Sequence, residues 1–126
     1  MALGQLEFYF SELKDWTKSL EFYNDEIRTY NHRLEEVVVR NTGNTVLNQT
    51  EHFQNQFILQ QEQFDMLRHD IREQEKQLGA NMPGSENLVN QPALHHQHQL
   101  RDRVHTAEKI FVETKHGFYR FLSSVL

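Results

Sequence analysis

Leu6, Leu13, Leu20, Ile27 and Leu34 recur every seven residues, and Tyr9, Trp16, Tyr23, Tyr30 and Val37 each follow three residues behind them. A seven-residue apolar repeat of this length fits only a long helix whose single stripe is buried against other helices. The first set takes heptad position a and the second position d. The seam is thus aliphatic, then aromatic, along one face. Neither proline nor glycine interrupts it between Gly4 and Gly43, so one helix is expected over residues 3–40.

The rest of the chain supplies partners of matching length. Asn41, Thr42, Gly43, Asn44 and Thr45 form a break: Gly43 suits a left-handed residue after a helix end, and Asn44 or Thr45 suits a cap. A second helix follows over 45–78, with seam Thr50, Phe53, Phe57, Gln60, Phe64, Leu67, Ile71, Gln74 and Leu78. So short a link turns it back antiparallel to the first. Gly79 reads as its stop signal. Residues 79–91 hold Gly79, Pro83 and Gly84 without helical period, and read as a loop. Pro92 suits the first turn of a third helix over 92–126. Its seam is Ala93, Gln97, Leu100, Val104, Ala107, Phe111, Thr114, Phe118, Phe121 and Val125. That seam is small and polar in its first half and aromatic in its second, so the tightest packing is expected near the C-terminal end. The fold class is all-α: a single domain, residues 1–126, of three long helices in an up-down-up antiparallel bundle with coiled-coil-like packing.

The seam carries a polar detail. Folding the second helix back on the first puts Gln60 near Tyr23 and Gln74 near Tyr9. Buried phenols need hydrogen-bond partners, so these amides could serve the tyrosine hydroxyls. Alternatively, all four polar tips reach solvent at the seam's edge.

Composition bounds the function. Charged residues make up 25% with both signs mixed, and the net charge is −5. Without a basic block there is no electrostatic footprint for nucleic acid. No apolar run approaches a membrane span. Cysteine is absent, which removes thiol catalysis and fits a reducing compartment. With no basic start and no apolar core of signal-peptide length at the N-terminus, a cytoplasmic location is expected. No glycine-rich phosphate loop or nucleophile elbow occurs, and the five serines lack any context that marks a nucleophile. The acid pairs Asp25-Glu26 and Glu35-Glu36 read as solvated helix faces. The expectation is a non-enzyme without a cofactor.

Two features remain as candidates. None of the eight histidines falls on a seam, and the seams contain no Asp or Glu, which argues against a buried metal centre. Glu113 and His116 have the spacing used by di-iron centres, but both point outward. On the surface, His95, His98, Asp102 and His105 are spaced three, four and three residues apart, and two or three of them could chelate a divalent ion. Protonating every histidine would turn the net charge positive, but a pH switch also needs a bistable element. The second candidate is surplus apolar surface. Val112, Tyr119 and Leu126 form a second stripe on helix 3, with Leu122 beside it and Ile110 across the seam. Phe8 and Phe22 point outward from helix 1, and Ile58, Leu59 and Met66 lie off the seam of helix 2. A periodic second stripe suggests a partner helix. The expected role is therefore an interaction or scaffold module. Its partner is a second copy or another helical protein, and its interface is Ile110, Val112, Tyr119, Leu122 and Leu126. The alternative is a metal- or small-ligand-binding bundle built on the histidine and Asp102 stripe.

Overall fold

The computed structural model describes residues 4–80 and 89–126. Within them the chain is all-α, with helices α1 (Gln5–Arg40), α2 (Asn44–Ala80) and α3 (Gln91–Val125). Each is about 50 Å long at about 1.5 Å per residue. Cross-helix pairs fix the directions. Tyr23 meets Phe64 and Tyr30 meets Phe57, so partner numbers fall on α2 as they rise on α1. Gln60 bonds Thr114 and Gln74 bonds Gln97, which makes α2 and α3 antiparallel as well. Between α1 and α3 the partners rise together, from Glu12–Arg101 to Tyr30–Tyr119.

All three seams are buried as their periodicity predicts. Every a position of α1 is inside, and of the seam positions only Tyr23, Phe53 and Val125 are half-exposed. The aromatic end is where expected: Phe57, Phe111 and Phe118 pack on Tyr30, and Phe53 packs on Phe118 and Phe121, with ring centroids 4.9–6.4 Å apart. At the opposite end the core turns polar. Gln74 donates to the Ala93 carbonyl at 2.9 Å and to Gln97 Oε1 at 3.0 Å. Gln97 donates in turn to Glu12 at 3.0 Å and to the Tyr9 carbonyl at 3.2 Å. Both amides are fully buried.

Several local expectations are corrected. Gly43 is not left-handed. Instead Asn41 ends α1 in an extended conformation, and both its backbone N–H and its side-chain amide donate to the Val37 carbonyl. Helix α2 starts at Asn44 and runs through Gly79 to Ala80, because a glycine lowers helix propensity without forbidding the helix. The start of α3 is capped as its sequence invites: Asn90 accepts from the Ala93 N–H at 2.9 Å, and Pro92 lies in the first turn. The expected 79–91 loop falls mostly on residues 81–88, outside the described residues. Asn24 is buried although it lies off the α1 seam.

The tyrosine–glutamine pairing is also wrong. Tyr23 donates to Glu108, and Tyr30 pairs with Tyr119 at 2.9 Å and donates to Glu26 at 2.7 Å. Neither Tyr9 nor Tyr23 bonds a side chain of α2 among the described residues. Position d of α1 and position d of α2 both lean toward α3, so phenols and amides each find partners there and not in each other.

Two stability outcomes follow. Gln74→Leu or Gln97→Leu alone leaves its amide partner unsatisfied and should cost about 1–3 kcal/mol. The double variant should cost less than the sum of the two, as read by urea denaturation. Gly117 lies mid-helix, and an added Cβ would meet the Phe53 ring at an ordinary 3.8 Å. Gly117→Ala should therefore raise stability by about 0.5–1 kcal/mol in the same assay.

Candidate functional site

Helix α3 contacts its neighbours along two flanks, and these divide the surface. Its e positions face α1. Arg101 forms a two-point bond to Glu12 at 2.6 and 2.7 Å, and Lys115 reaches Glu26 at 2.8 Å. Its g positions face α2, where Arg103 reaches Asp70 at 2.8 Å.

The expected interface residues do not form one patch. Val112, Tyr119 and Leu126 are exposed on the outer flank of α3 toward α1, with half-buried Leu122 beside them. Phe8 and Phe22 occupy the facing outer flank of α1, so helical position puts all of these on the α1/α3 face. Phe22 is 59% exposed and Val112 40%. Tyr119 is less free than its spacing suggests. Its hydroxyl pairs with Tyr30, and Lys115 Nζ lies 5.8 Å from its ring centroid. Thr29, Tyr30, Arg33, Phe118, Tyr119 and Leu122 line a shallow cleft of about 320 Å³ here. Ile110 lies on the opposite side of α3, facing α2.

There Ile110 borders a groove of about 400 Å³ between α2 and α3. Leu59, Phe64, Ala107 and Ile110 supply its apolar walls, and Gln60, Gln63, Thr106, Asp102 and Arg103 its polar points. It exists because Thr106 and Ala107 are short where the neighbouring seam residues are bulky. The sequence signal was available in Leu59 and Ile110, both off-seam apolar residues, but joining them needs the antiparallel register.

His95, His98, Asp102 and His105 are all exposed along α3. No group of three or more His, Cys, Asp or Glu residues is arranged to hold a metal ion among the described residues. Seven of the eight histidines are exposed. The exception, His96, is half-buried, and its Nδ1 lies 2.8 Å from Gln74 Oε1.

Electrostatics mark both edges of α3. Burial pushes the Glu12 carboxyl up, but the bonds from Arg101 and Gln97 outweigh it and hold the group below the usual carboxylate range. At Asp70, Arg103 and His69 likewise outweigh a burial effect, and the group is lowered. Burial and then the neighbouring carboxylate raise Tyr23, while burial, Tyr119 and Glu26 raise Tyr30.

Among the described residues no helix is long and apolar enough to cross a membrane. Compared with family models, curated proteins and solved structures, the chain matches none.

A depressed carboxyl stabilises the fold fully above its unfolded pKa, and that stabilisation is lost as pH falls through the lower folded value. For Glu12 and Asp70 the loss should begin below the ordinary values of 4.5 and 3.8. Glu12→Gln should lower stability at neutral pH and flatten the acid limb of a denaturation-versus-pH curve. An acid limb as steep as that of the unmodified chain would contradict the Glu12 assignment.

Proposed function

We propose that this chain is a non-enzymatic helical interaction module that pairs with a second copy of itself through the α1/α3 face. The observation that carries this reading is the exposure of Phe22, Val112, Tyr119 and Leu126 on one side of a bundle whose internal seams are already filled. Hydrated apolar side chains at helical spacing gain about 25 cal/mol for each Å² covered by a partner.

The charges on this face support the same reading. Glu12 is already paired with Arg101 and Glu26 with Lys115 inside one chain. Covering the face would bury these two as neutral pairs, the less costly case, while Glu108 keeps its hydrogen bond from Tyr23. Mixed apolar and paired polar groups are also what interfaces between separately folded chains present. A two-fold arrangement places each Phe22 and Val112 against its counterpart face and closes the assembly.

The second reading, a metal- or small-ligand-binding bundle, is supported in its small-ligand form by the α2/α3 groove. The dispersed histidine and Asp102 stripe lends its metal form no comparable support.

Sedimentation equilibrium tests the first reading. The unmodified chain should show a concentration-dependent dimer. Phe22→Glu with Val112→Glu should weaken it by at least about tenfold, since each variant buries an unpaired charge, and should leave far-UV circular dichroism unchanged. These positions are chosen because neither side chain makes a hydrogen bond within the chain. A monomer at the highest soluble concentration would overturn self-association.

A further inference from the structure

Building on the self-association proposed above, we propose that the two copies pair antiparallel, α1 on α1 and α3 on α3. The two-fold axis lies across both helices at the level of Phe22 and Val112. In this arrangement Glu108 meets the partner's Lys115, and Arg33 meets the partner's Glu12.

The two helices of the face run parallel and in step. Glu12 meets Arg101, Glu26 meets Lys115 and Tyr30 meets Tyr119, each pair 89 residues apart. Every residue of α3 therefore has a level on α1. Phe22 and Val112 share the middle of the face. Phe8 and Leu126 stand at its two ends, equally far from that middle. An axis there lays the whole apolar span of one copy on that of the other.

Charge selects the direction. Glu108 is half-buried and accepts a hydrogen bond from Tyr23, but no cation pairs with it among the described residues. Arg33 lines the cleft beside Tyr119 and Leu122. It makes no hydrogen bond or ion pair among the described residues. The face thus holds one carboxylate and one guanidinium without a counter-charge, at different levels. Glu108 and Lys115 lie equally far on either side of the axis, and so do Glu12 and Arg33. The antiparallel copy therefore brings an ammonium to each Glu108 and a guanidinium to each Glu12. Both hosts have capacity left. An ammonium has three donors, and Lys115 uses one on Glu26. A carboxylate has about four acceptor sites, and Glu12 is occupied by Gln97 and the two-point bond from Arg101. With the axis along the bundle, α1 would lie on the partner's α3 at equal level. Glu108 would then oppose the partner's Ser19, and Arg33 the partner's Leu122. Covering the face would strand both charges, which is the costly case.

The chain contains no cysteine, so single cysteines can carry nitroxide labels, and pulsed dipolar spectroscopy reads the distance between the two labels of a dimer. Ser11→Cys and Lys18→Cys place the label on the exposed side of α1 opposite its seam. At about 1.5 Å per residue, the antiparallel dimer separates the Ser11 labels by about 35 Å along the helix axes and the Lys18 labels by about 14 Å. An axis along the bundle gives both variants the same distance. In sedimentation equilibrium Arg33→Glu should weaken the dimer at least about fivefold, the modest ratio expected of a partly exposed charge pair. It should leave far-UV circular dichroism unchanged. A dimer whose two label pairs are equally spaced, or one indifferent to Arg33→Glu, overturns the antiparallel arrangement and leaves self-association standing. A monomer without dipolar modulation at any concentration overturns both.

Discussion

The interlocked amides of Gln74 and Gln97 constrain this bundle more than any apolar contact. Glu12 can only accept, so Gln97 must turn its Nε2 toward it. The Gln97 oxygen then faces Gln74, whose own Nε2 donates to it, and the Gln74 oxygen is left for His96, which must carry its proton on Nδ1. One carboxylate on α1 thus fixes the polarity of a chain of bonds through α3 and α2. A one-turn slip of any helix would leave fully buried amide groups without partners, at about 1–3 kcal/mol each. The aromatic end supplies apolar burial but discriminates less, because phenylalanine rings repack with modest loss. Burial energy and register therefore come from opposite ends of the molecule.

The charges at the helix edges select the hand of the bundle. Glu12 and Glu26 lie on the g flank of α1 and meet Arg101 and Lys115 on the e flank of α3. Wound the other way, α3 would pack against Thr17, Asn24 and Asn31 of α1, and these two ion pairs would be lost. Arg103 and Asp70 would separate as well. Exposed ion pairs contribute little to stability. These pairs are partly buried and act together, so their effect is on the choice between two nearly equivalent packings.

The heptad period made the buried face of each helix legible, because the period is a property of one helix alone. Which neighbour a buried side chain turns to depends on all three helices together. That is why Gln60 and Tyr23 do not pair: Gln60 turns to Thr114 and Tyr23 to Glu108, both on α3. The phenol is also long enough to carry its hydroxyl past the core to the charged edge, where Glu108 and Glu26 wait. Asn24 was missed for a related reason. Its e position is buried only because α2 closes over that flank. At the helix ends, glycine was read too strongly: Gly79 permits a stop but does not impose one.

The same dependence on three helices explains the candidate sites. The five apolar residues singled out on α3 lie on both sides of its seam, and the bundle sends Ile110 to the α2 side and the others to the α1 side. The two faces then differ in kind. On the α1 side, apolar side chains stand proud of an edge that carries two ion pairs. On the α2 side, Thr106 and Ala107 fall short of Leu59 and Ile110 and leave a concavity. Longer apolar side chains at 106 and 107 would fill that space and cover Leu59, which is 64% exposed. As it stands, the groove leaves its apolar walls incompletely covered.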